Sequence, residues 1–194
     1  RQEQIREDNR TSLYVRRGLA LTPVKFGISF TNTMLNQAGA LIHVYRDGSI
    51  HLNHGGTEMG QGLFTKVAQI VSEELRVAVD QIQITATHTG KVPNTSATAA
   101  SSGSDLNGMA AKNAASTIRR RLIDFACHHY TVSESEIFFD YGGIKIGSRE
   151  ILFQELVETA YQNRVQLSAT GFYRTPKNHW NPQTNTGRPF YYFA

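Results

Sequence analysis

The order of hydrophobic periodicities along the chain predicts an α+β fold, with a mixed or antiparallel sheet packed with two long helices. Three observations carry this expectation. Extended runs Ala40 to Tyr45 and Ile50 to His54 flank Arg46-Asp47-Gly48-Ser49, and Asp-Gly between extended runs signals a hairpin. Leu63, Val67, Val71 and Leu75 form a stripe widened by Phe64 and Ala68, which predicts a helix over 63–77. A longer stripe, Leu106, Met109, Ala110, Ala114, Ile118, Leu122 and Phe125, predicts a second helix near 105–126.

The remaining elements follow in order. Residues 1–23 are charged at the start and end on Pro23, a lead-in segment reading as a helix and a turn. Residues 24–175 form the α+β body. Within it, 24–33 alternate as a strand in which Gly27 permits a bulge. Gln81 to Thr85 alternate as another strand, and a second hairpin joins Glu136 to Phe139 with Ile144 to Ile146 across Asp140-Tyr141-Gly142-Gly143. A third helix over 151–161 places Leu152, Phe153, Leu156, Val157 and Ala160 on one face, and Gln166 to Tyr173 read as extended. The tail, 176–194, is rich in Asn, Gly, Thr and aromatics. It has too few apolar positions for a core of its own, so its aromatics are expected to pack on parts outside this sequence.

Composition narrows the function classes. The chain has 194 residues, 40% of them apolar, enough for one large domain or two small ones. A lone cysteine, Cys127, excludes an internal disulfide framework and fits a reducing, cytoplasmic setting. No apolar run approaches the ~18 residues of a membrane span. The start, Arg1-Gln2-Glu3-Gln4, has neither a signal-like apolar core nor an initiator methionine, as expected of a piece of a longer chain. The net charge of +4 is scattered. Its densest point, Arg119-Arg120-Arg121, lies within a predicted helix and reads as a solvated face or a contact with a partner subunit. No basic stripe interleaved with aromatics supports nucleic-acid binding.

Two segments of small residues carry the chemistry. The first, His54-Gly55-Gly56-Thr57-Glu58-Met59-Gly60-Gln61-Gly62, enters the first long helix directly. Its glycines admit positive φ and close ligand approach. The helix start behind them suits an anion, and Gln61 adds a donor and an acceptor. The spacing is neither a P-loop nor a dinucleotide fingerprint. A tight connection that binds nothing would use the same glycines, and both readings stay open at this point. The second segment, Pro93 to Asp105, has no large side chain and leads into the second long helix. Ser102 with Asp105, and Ser104 with Asn107, offer competing caps there. The loops around 54–62 and 98–104, each feeding a helix, together predict a two-part clamp for a phosphorylated cofactor.

No other catalytic constellation emerges. His43 and His51 sit on alternating strands, facing solvent or pairing across the hairpin. His54 is placed to fix the glycine loop, and His128-His129 point apart. Paired cysteines and a His-x-x-x-His set are lacking, so zinc and protein-held iron–sulfur sites find no support. Glu58 is a possible base with no acidic partner at a suggestive spacing.

Four stretches together resemble the molybdenum-binding part of xanthine dehydrogenases, within the molybdenum hydroxylase family. They are Leu52 to Leu63, Val92 to Ser101, Ser104 to Gly108 and Leu167 to Pro176. The resemblance runs from about Phe26 to the end, with the motifs in the family's order. It implies the molybdopterin-binding domain fold and an enzyme that oxidises hypoxanthine or xanthine with water as the oxygen source. Electrons then leave through Fe-S clusters and FAD to NAD. The molybdenum-pterin cofactor carries the difficult chemistry and the protein supplies placement.

Transferred by position, the resemblance sets Met59, Gly60, Gln61 and Gly62 against the pterin. Ala99 and Ala100 line the metal and substrate side, with the Ala100 amide at the metal. Ser101, Ser102 and Gly103 hold the phosphate end. Gly103 departs from the animal xanthine dehydrogenases, which carry serine there. No catalytic residue transfers, because the family's glutamate base and its substrate-orienting arginine and glutamate lie in other parts of the parent chain. The implied partners are the remainder of the molybdenum-binding chain, iron–sulfur and FAD subunits or domains, and a purine. Self-association is expected around Phe172, Phe190, Tyr191, Tyr192 and Phe193, and the isolated piece is expected to be inactive. The alternatives are a related aldehyde or N-heterocycle hydroxylase, and a non-catalytic cofactor carrier.

Overall fold

The computed structural model describes residues 1–91 and 95–193. Helix α1 (Gln2–Thr11) buries none of its residues and precedes β1 (Lys25–Ile28), which ends where Ser29 adopts a left-handed φ of 99°. The predicted hairpin follows as β2 (Gln37–Val44) and β3 (Ile50–His54), antiparallel with Ala40 opposite His54 and Val44 opposite Ile50. Its turn depends on Gly48 at φ 81°, which lets the Gly48 amide donate to the Tyr45 carbonyl at 2.9 Å. Alternation puts Ala38, Ala40, Ile42, Val44, Ile50 and Leu52 in the core. The opposite face carries His43 and His51, which stack across the hairpin at 6.2 Å.

Helix α2 (Leu63–Leu75) buries Leu63, Val67, Ala68, Val71 and Leu75, and stops where Arg76 turns left-handed at φ 56°. The chain returns as β4 (Ile82–Ile84), parallel to β3, so β3, α2 and β4 make a crossover unit. Helix α3 (Gly103–Tyr130) is 28 residues long, four residues longer at its C-terminal end than its apolar stripe predicts. The extra turn is held by rings, with His129 stacked on Phe125 at 5.0 Å, and the helix ends at left-handed Thr131.

Alanines dominate the buried face of α3, and two glycines let it lie close to its neighbours. A Cβ on Gly108 would come within 2.5 Å of Ile70 Cδ1 on α2. A Cβ on Gly171 would collide with the Ala110 carbonyl oxygen and stand 2.6 Å from the Ala114 nitrogen.

The second hairpin gains a strand that alternation does not reveal. To β5 (Ile137–Asp140) and β6 (Gly143–Ile146) the chain adds β7 (Arg149–Ile151), through a turn at Gly147 with φ 60°. Arg149 and Glu150 are both exposed, so β7 has no apolar period to read. In α4 (Phe153–Gln162) the buried face is Phe153, Leu156, Val157 and Ala160. Leu152 departs from the expected face, because it is the N-cap and its side chain is exposed. Strand β8 (Ser168–Arg174) pairs antiparallel with β2, completing a four-stranded mixed sheet in the order β4-β3-β2-β8. One core runs between this sheet, α2, α3, α4 and the small three-stranded sheet.

The tail makes a hairpin of its own, β9 (His179–Asn181) with β10 (Thr186–Arg188), in which Trp180 covers Gly187. Residues Ile28 to Phe190 constitute one unit. The other comprises Arg1 to Gly27 with the residues from Tyr191 onward, where β1 meets β11 (Phe190–Phe193) and the Lys25 ammonium lies 4.3 Å above the Tyr191 ring. The three consecutive arginines are engaged within their own unit. Arg120 pairs with Asp124 and Glu134, Arg119 lies 5.1 Å above the Phe139 ring, and Arg121 donates to the Gln166 and Ser168 carbonyls.

Candidate functional site

The first loop leaves β3 at His54, and its four glycines divide into two kinds. A Cβ on Gly55 would collide with Thr95, and one on Gly56 would lie 2.5 Å from Leu63 Cδ2 and 2.8 Å from Asn107 Nδ2. These two are glycine because of internal packing, a correction to the reading that gives all four to ligand approach. Gly60 and Gly62 hold left-handed φ values of 98° and 74°, with nothing within 4 Å of where a Cβ would stand. They bend the loop and leave its outer side open.

Glu58 corrects the sequence reading a second time. Its Oε1 accepts the Gly60 and Gly62 amides at 2.8 and 3.0 Å, and its Oε2 accepts the Phe64 amide at 3.1 Å. Those amides hold its carboxyl below the usual carboxylate range. The start of α2, expected to receive an external anion, is capped by the chain's own carboxylate. An ionised carboxylate so engaged is a poor general base. Gln61 closes the same turn, accepting the Met59 amide at 2.6 Å and donating to the Thr57 carbonyl at 2.9 Å.

The second loop is strained where the first is relaxed. Ala100 and Ser101 are consecutive left-handed residues, at φ 52° and 54°, a conformation that costs a non-glycine residue about 1–2 kcal/mol. The Ala100 carbonyl accepts the amide of Ser29 at 3.2 Å. Neither expected cap forms at α3. Ser102 is the N-cap residue, but its buried hydroxyl donates to the Ala99 carbonyl at 2.9 Å and makes no cap bond. The carboxylate of Asp105 turns towards β8, accepting from Thr175 at 3.1 Å and lying 3.4 Å from the Tyr173 hydroxyl, which burial and Asp105 push up to about 12. Asn107 donates to the Gly103 carbonyl at 2.9 Å. The Ser102 side chain thus does not cap α3, and Asp105 places a carboxylate in its first turn.

The loops meet directly, the Thr57 amide donating to Thr98 Oγ1 at 2.8 Å. Between them lies a cleft of about 400 Å³ lined by Met59, Gln61, Leu63, Lys66, Thr98, Ala99, Ser101, Gly103 and Ser104. Of the residues expected at the site, Met59, Gln61, Ala99, Ser101 and Gly103 line the cleft. Gly60 and Gly62 shape the loop beside it, Ala100 forms the strained bend, and Ser102 is buried. Val92-Pro93-Asn94, part of the second segment, lies outside the described residues.

Sequence reasoning missed Lys66, among the described residues the one charged side chain lining the cleft. Its signal was present: a lysine one helical turn beyond the glycine loop. Beneath the loop, His54 accepts the Gly56 amide at Nδ1, 3.1 Å away, as expected of a residue that fixes the loop. Burial pushes its imidazole down to about 4, so it is neutral at ordinary pH.

The family model of the molybdopterin cofactor-binding domain matches residues 1–194. The chain belongs to that family. It is 46% identical over 194 residues to the xanthine dehydrogenase/oxidase of Gallus gallus and 45% identical over 194 residues to that of Mus musculus, covering 100% of this chain and 13% of each relative. It is also 48% identical over 173 residues to the xanthine dehydrogenase of Blastobotrys adeninivorans, covering 89% of this chain and 11% of the relative. The chain thus spans about an eighth of the length of the curated relatives it matches.

Among solved structures, reconstituted CO dehydrogenase from Oligotropha carboxidovorans superposes with a TM-score of 0.72 at 21% identity, over 89% of this chain and 22% of that one. Quinoline 2-oxidoreductase from Pseudomonas putida 86 gives 0.69 at 19% identity, over 88% and 25%. At such identities the likeness is one of fold, and it bears out the α+β arrangement.

Among the described residues no group of three or more His, Cys, Asp or Glu could hold a metal ion. What the cleft of this molybdopterin cofactor-binding domain offers is a strained bend at Ala100 and Ser101, the start of a long helix, and a lysine. Those residues fit an anionic group such as a phosphate. Among the described residues no helix is long and apolar enough to cross a membrane.

Proposed function

We propose that this chain is the part of a molybdenum hydroxylase that grips the molybdenum-pterin cofactor, and that the parent oxidises a purine, with hypoxanthine and xanthine as leading substrates. The observation that carries this reading is identity of 44–46% over the whole chain to vertebrate xanthine dehydrogenase/oxidases. When bound, the cofactor supplies the redox and oxygen-transfer chemistry, with water as the oxygen source. The chain's residues place it. Met59 and Gln61 offer their side chains to the pterin, while Gly60 and Gly62 give the loop the bend that keeps its backbone open.

Ala99 and Ala100 form the metal side. Methyl groups there cannot compete as metal ligands, and the left-handed bend at Ala100 supports the reading by giving the backbone a sharp turn beside the cleft. Ser101, Ser102 and Gly103 receive the phosphate at the start of α3. Ser102 contributes its backbone, its hydroxyl being engaged with Ala99, and Lys66 balances the phosphate charge. The glutamate base, the Fe-S clusters and the FAD that passes electrons to NAD belong to other parts of a cytoplasmic parent. The exposed Phe172, Tyr192 and Phe193 are surfaces for those parts, and for self-association when the parts are removed.

The test is to purify the full-length parent from a host that makes the cofactor. Molybdenum is measured by mass spectrometry, and dye reduction is followed with xanthine, an aldehyde and an N-heterocycle. Near-stoichiometric molybdenum with xanthine turnover is expected. Turnover of only the other substrates would move the activity to a related hydroxylase, and molybdenum without any turnover would favour a carrier. The 194-residue chain alone is expected to retain little molybdenum and to turn nothing over.

A further inference from the structure

Two buried polar side chains lie beneath the loops and face backbone rather than the cleft. His54, 1% exposed, accepts the Gly56 amide at Nδ1, and its ring stands edge-on to Phe64 with centroids 5.1 Å apart. Its Nε2 has no hydrogen-bond partner among the described residues. Asn107, 4% exposed, donates from Nδ2 to the Gly103 carbonyl, and its Oδ1 likewise has no partner among the described residues. The pair meets at Gly56, whose Cα lies so close to the Asn107 amide that a Cβ would stand 2.8 Å from Nδ2.

A leucine at either position would fill the space without burying an unpaired polar atom. The polar side chains therefore carry a cost that their packing does not offset, and their remaining bonds show where the gain lies. One bond goes to the first loop, the other to the first turn of α3, directly behind the second loop. Accepting from Gly56 fixes the peptide plane that opens the first loop. Donating to the Gly103 carbonyl turns the Asn107 amide back along α3, towards the helix start and Gly56.

We propose that His54 and Asn107 are positioning residues for the cofactor. His54 holds the first loop at Gly56 from below, and the close approach of Asn107, on α3, to Gly56 sets the spacing between that loop and the helix start behind the second loop. The proposal rests on the reading of the cleft as the molybdenum-pterin site.

The experiment uses the full-length parent from a cofactor-producing host, with variants His54→Leu, His54→Asn and Asn107→Asp. Leucine removes the acceptor, asparagine restores one near the position of Nδ1, and aspartate turns an acceptor towards the Gly103 carbonyl. Molybdenum per chain is measured by mass spectrometry. Hydrogen exchange of peptides covering 55–64 and 98–107 is measured on the metal-free proteins. His54→Leu and Asn107→Asp are each expected to lower molybdenum by roughly tenfold or more, the size usual for residues that orient a metal site from behind. Exchange should quicken in both peptides, and His54→Asn should keep at least half of the parental molybdenum.

Full molybdenum in both of the disruptive variants would overturn the proposal, as would a loss in His54→Asn equal to that in His54→Leu. Should His54→Leu fail to fold, Asn107→Asp decides; failure of both to fold assigns the pair to the core and likewise overturns it. If the unaltered parent holds no molybdenum, the reading of the cleft falls. The exchange data then still judge the loops, and unchanged rates would overturn the positioning role separately.

Discussion

Replacing Gly171 with alanine should strike the contact that seats the cleft's second wall. Gly171 lies in β8 opposite Ala40, facing α3 across a gap with no room for a methyl group. An added Cβ would overlap the Ala110 carbonyl oxygen and come within 2.6 Å of the Ala114 nitrogen. Both obstacles are helix backbone, so no side chain can rotate away. Relief requires α3 to lift from the sheet by roughly 1 Å along its most closely packed stretch, and overpacking of this kind costs about 3 kcal/mol or more. For a domain of this size that corresponds to a fall in melting temperature of roughly 6–12 °C.

The assay is thermal unfolding followed by far-ultraviolet circular dichroism, with Gly142→Ala as the control. Gly142 has nothing within 4 Å and no positive φ, so its alanine variant should melt within about 2 °C of the parent. Melting of Gly171→Ala equally close to the parent would refute the close approach of β8 and α3, and with it the account of how the start of α3 is placed.

Three further outcomes follow from the site. The His54 imidazole, held at about 4 in the folded chain against an ordinary 6.5, takes up its proton more readily once unfolded. Its contribution is present in full above pH ~6.5 and is lost as pH falls towards 4. The total is about 3 kcal/mol, and urea denaturation across that range should show this slope disappear in His54→Asn. Lys66→Glu reverses the one charge that the described residues bring to the cleft, and molybdenum retention in the full-length parent should fall on the order of tenfold or more, with the fold unchanged by circular dichroism. Ala100→Gly relaxes a left-handed alanine, so the metal-free protein should gain on the order of 1 kcal/mol, read as a rise in urea midpoint, while losing cofactor retention.

What the sequence made legible was whatever repeats or punctuates. The hairpin at Asp47-Gly48 was readable because only a left-handed residue closes that turn, and Gly48 adopts φ 81°. Helix α2 was readable because Leu63, Val67, Val71 and Leu75 share one face. Strand β7 was not, since Arg149 and Glu150 face water and the strand exists only by pairing with β6. Of the site, the composition of the two loops was visible but the use of their atoms was not. A glycine that yields to Thr95 looks the same in sequence as one that opens to a ligand, and nothing in Glu58 announces that three amides will converge on it.

The two helix starts at the cleft had the same appearance in sequence and meet different side chains in the fold. At α2 the loop folds back so that Glu58 neutralises the helix end, which leaves Gln61 and Met59 as uncharged contacts. At α3 the hydroxyl that could have capped the helix is turned to Ala99, and Asp105 is turned to β8. The positive charge of the cleft thus comes from Lys66 on α2, beside the loop that Glu58 closes, while the start of α3 opposite holds Asp105 in its first turn. Lys66 and Glu58 can be told apart by experiment. Charge reversal at Lys66 acts on the ligand and leaves the loop intact. Glu58→Gln acts on the loop, and should first appear as faster hydrogen exchange of the Gly60, Gly62 and Phe64 amides in the metal-free protein. Unchanged exchange at those three amides would mean that the α2 end is not held by Glu58.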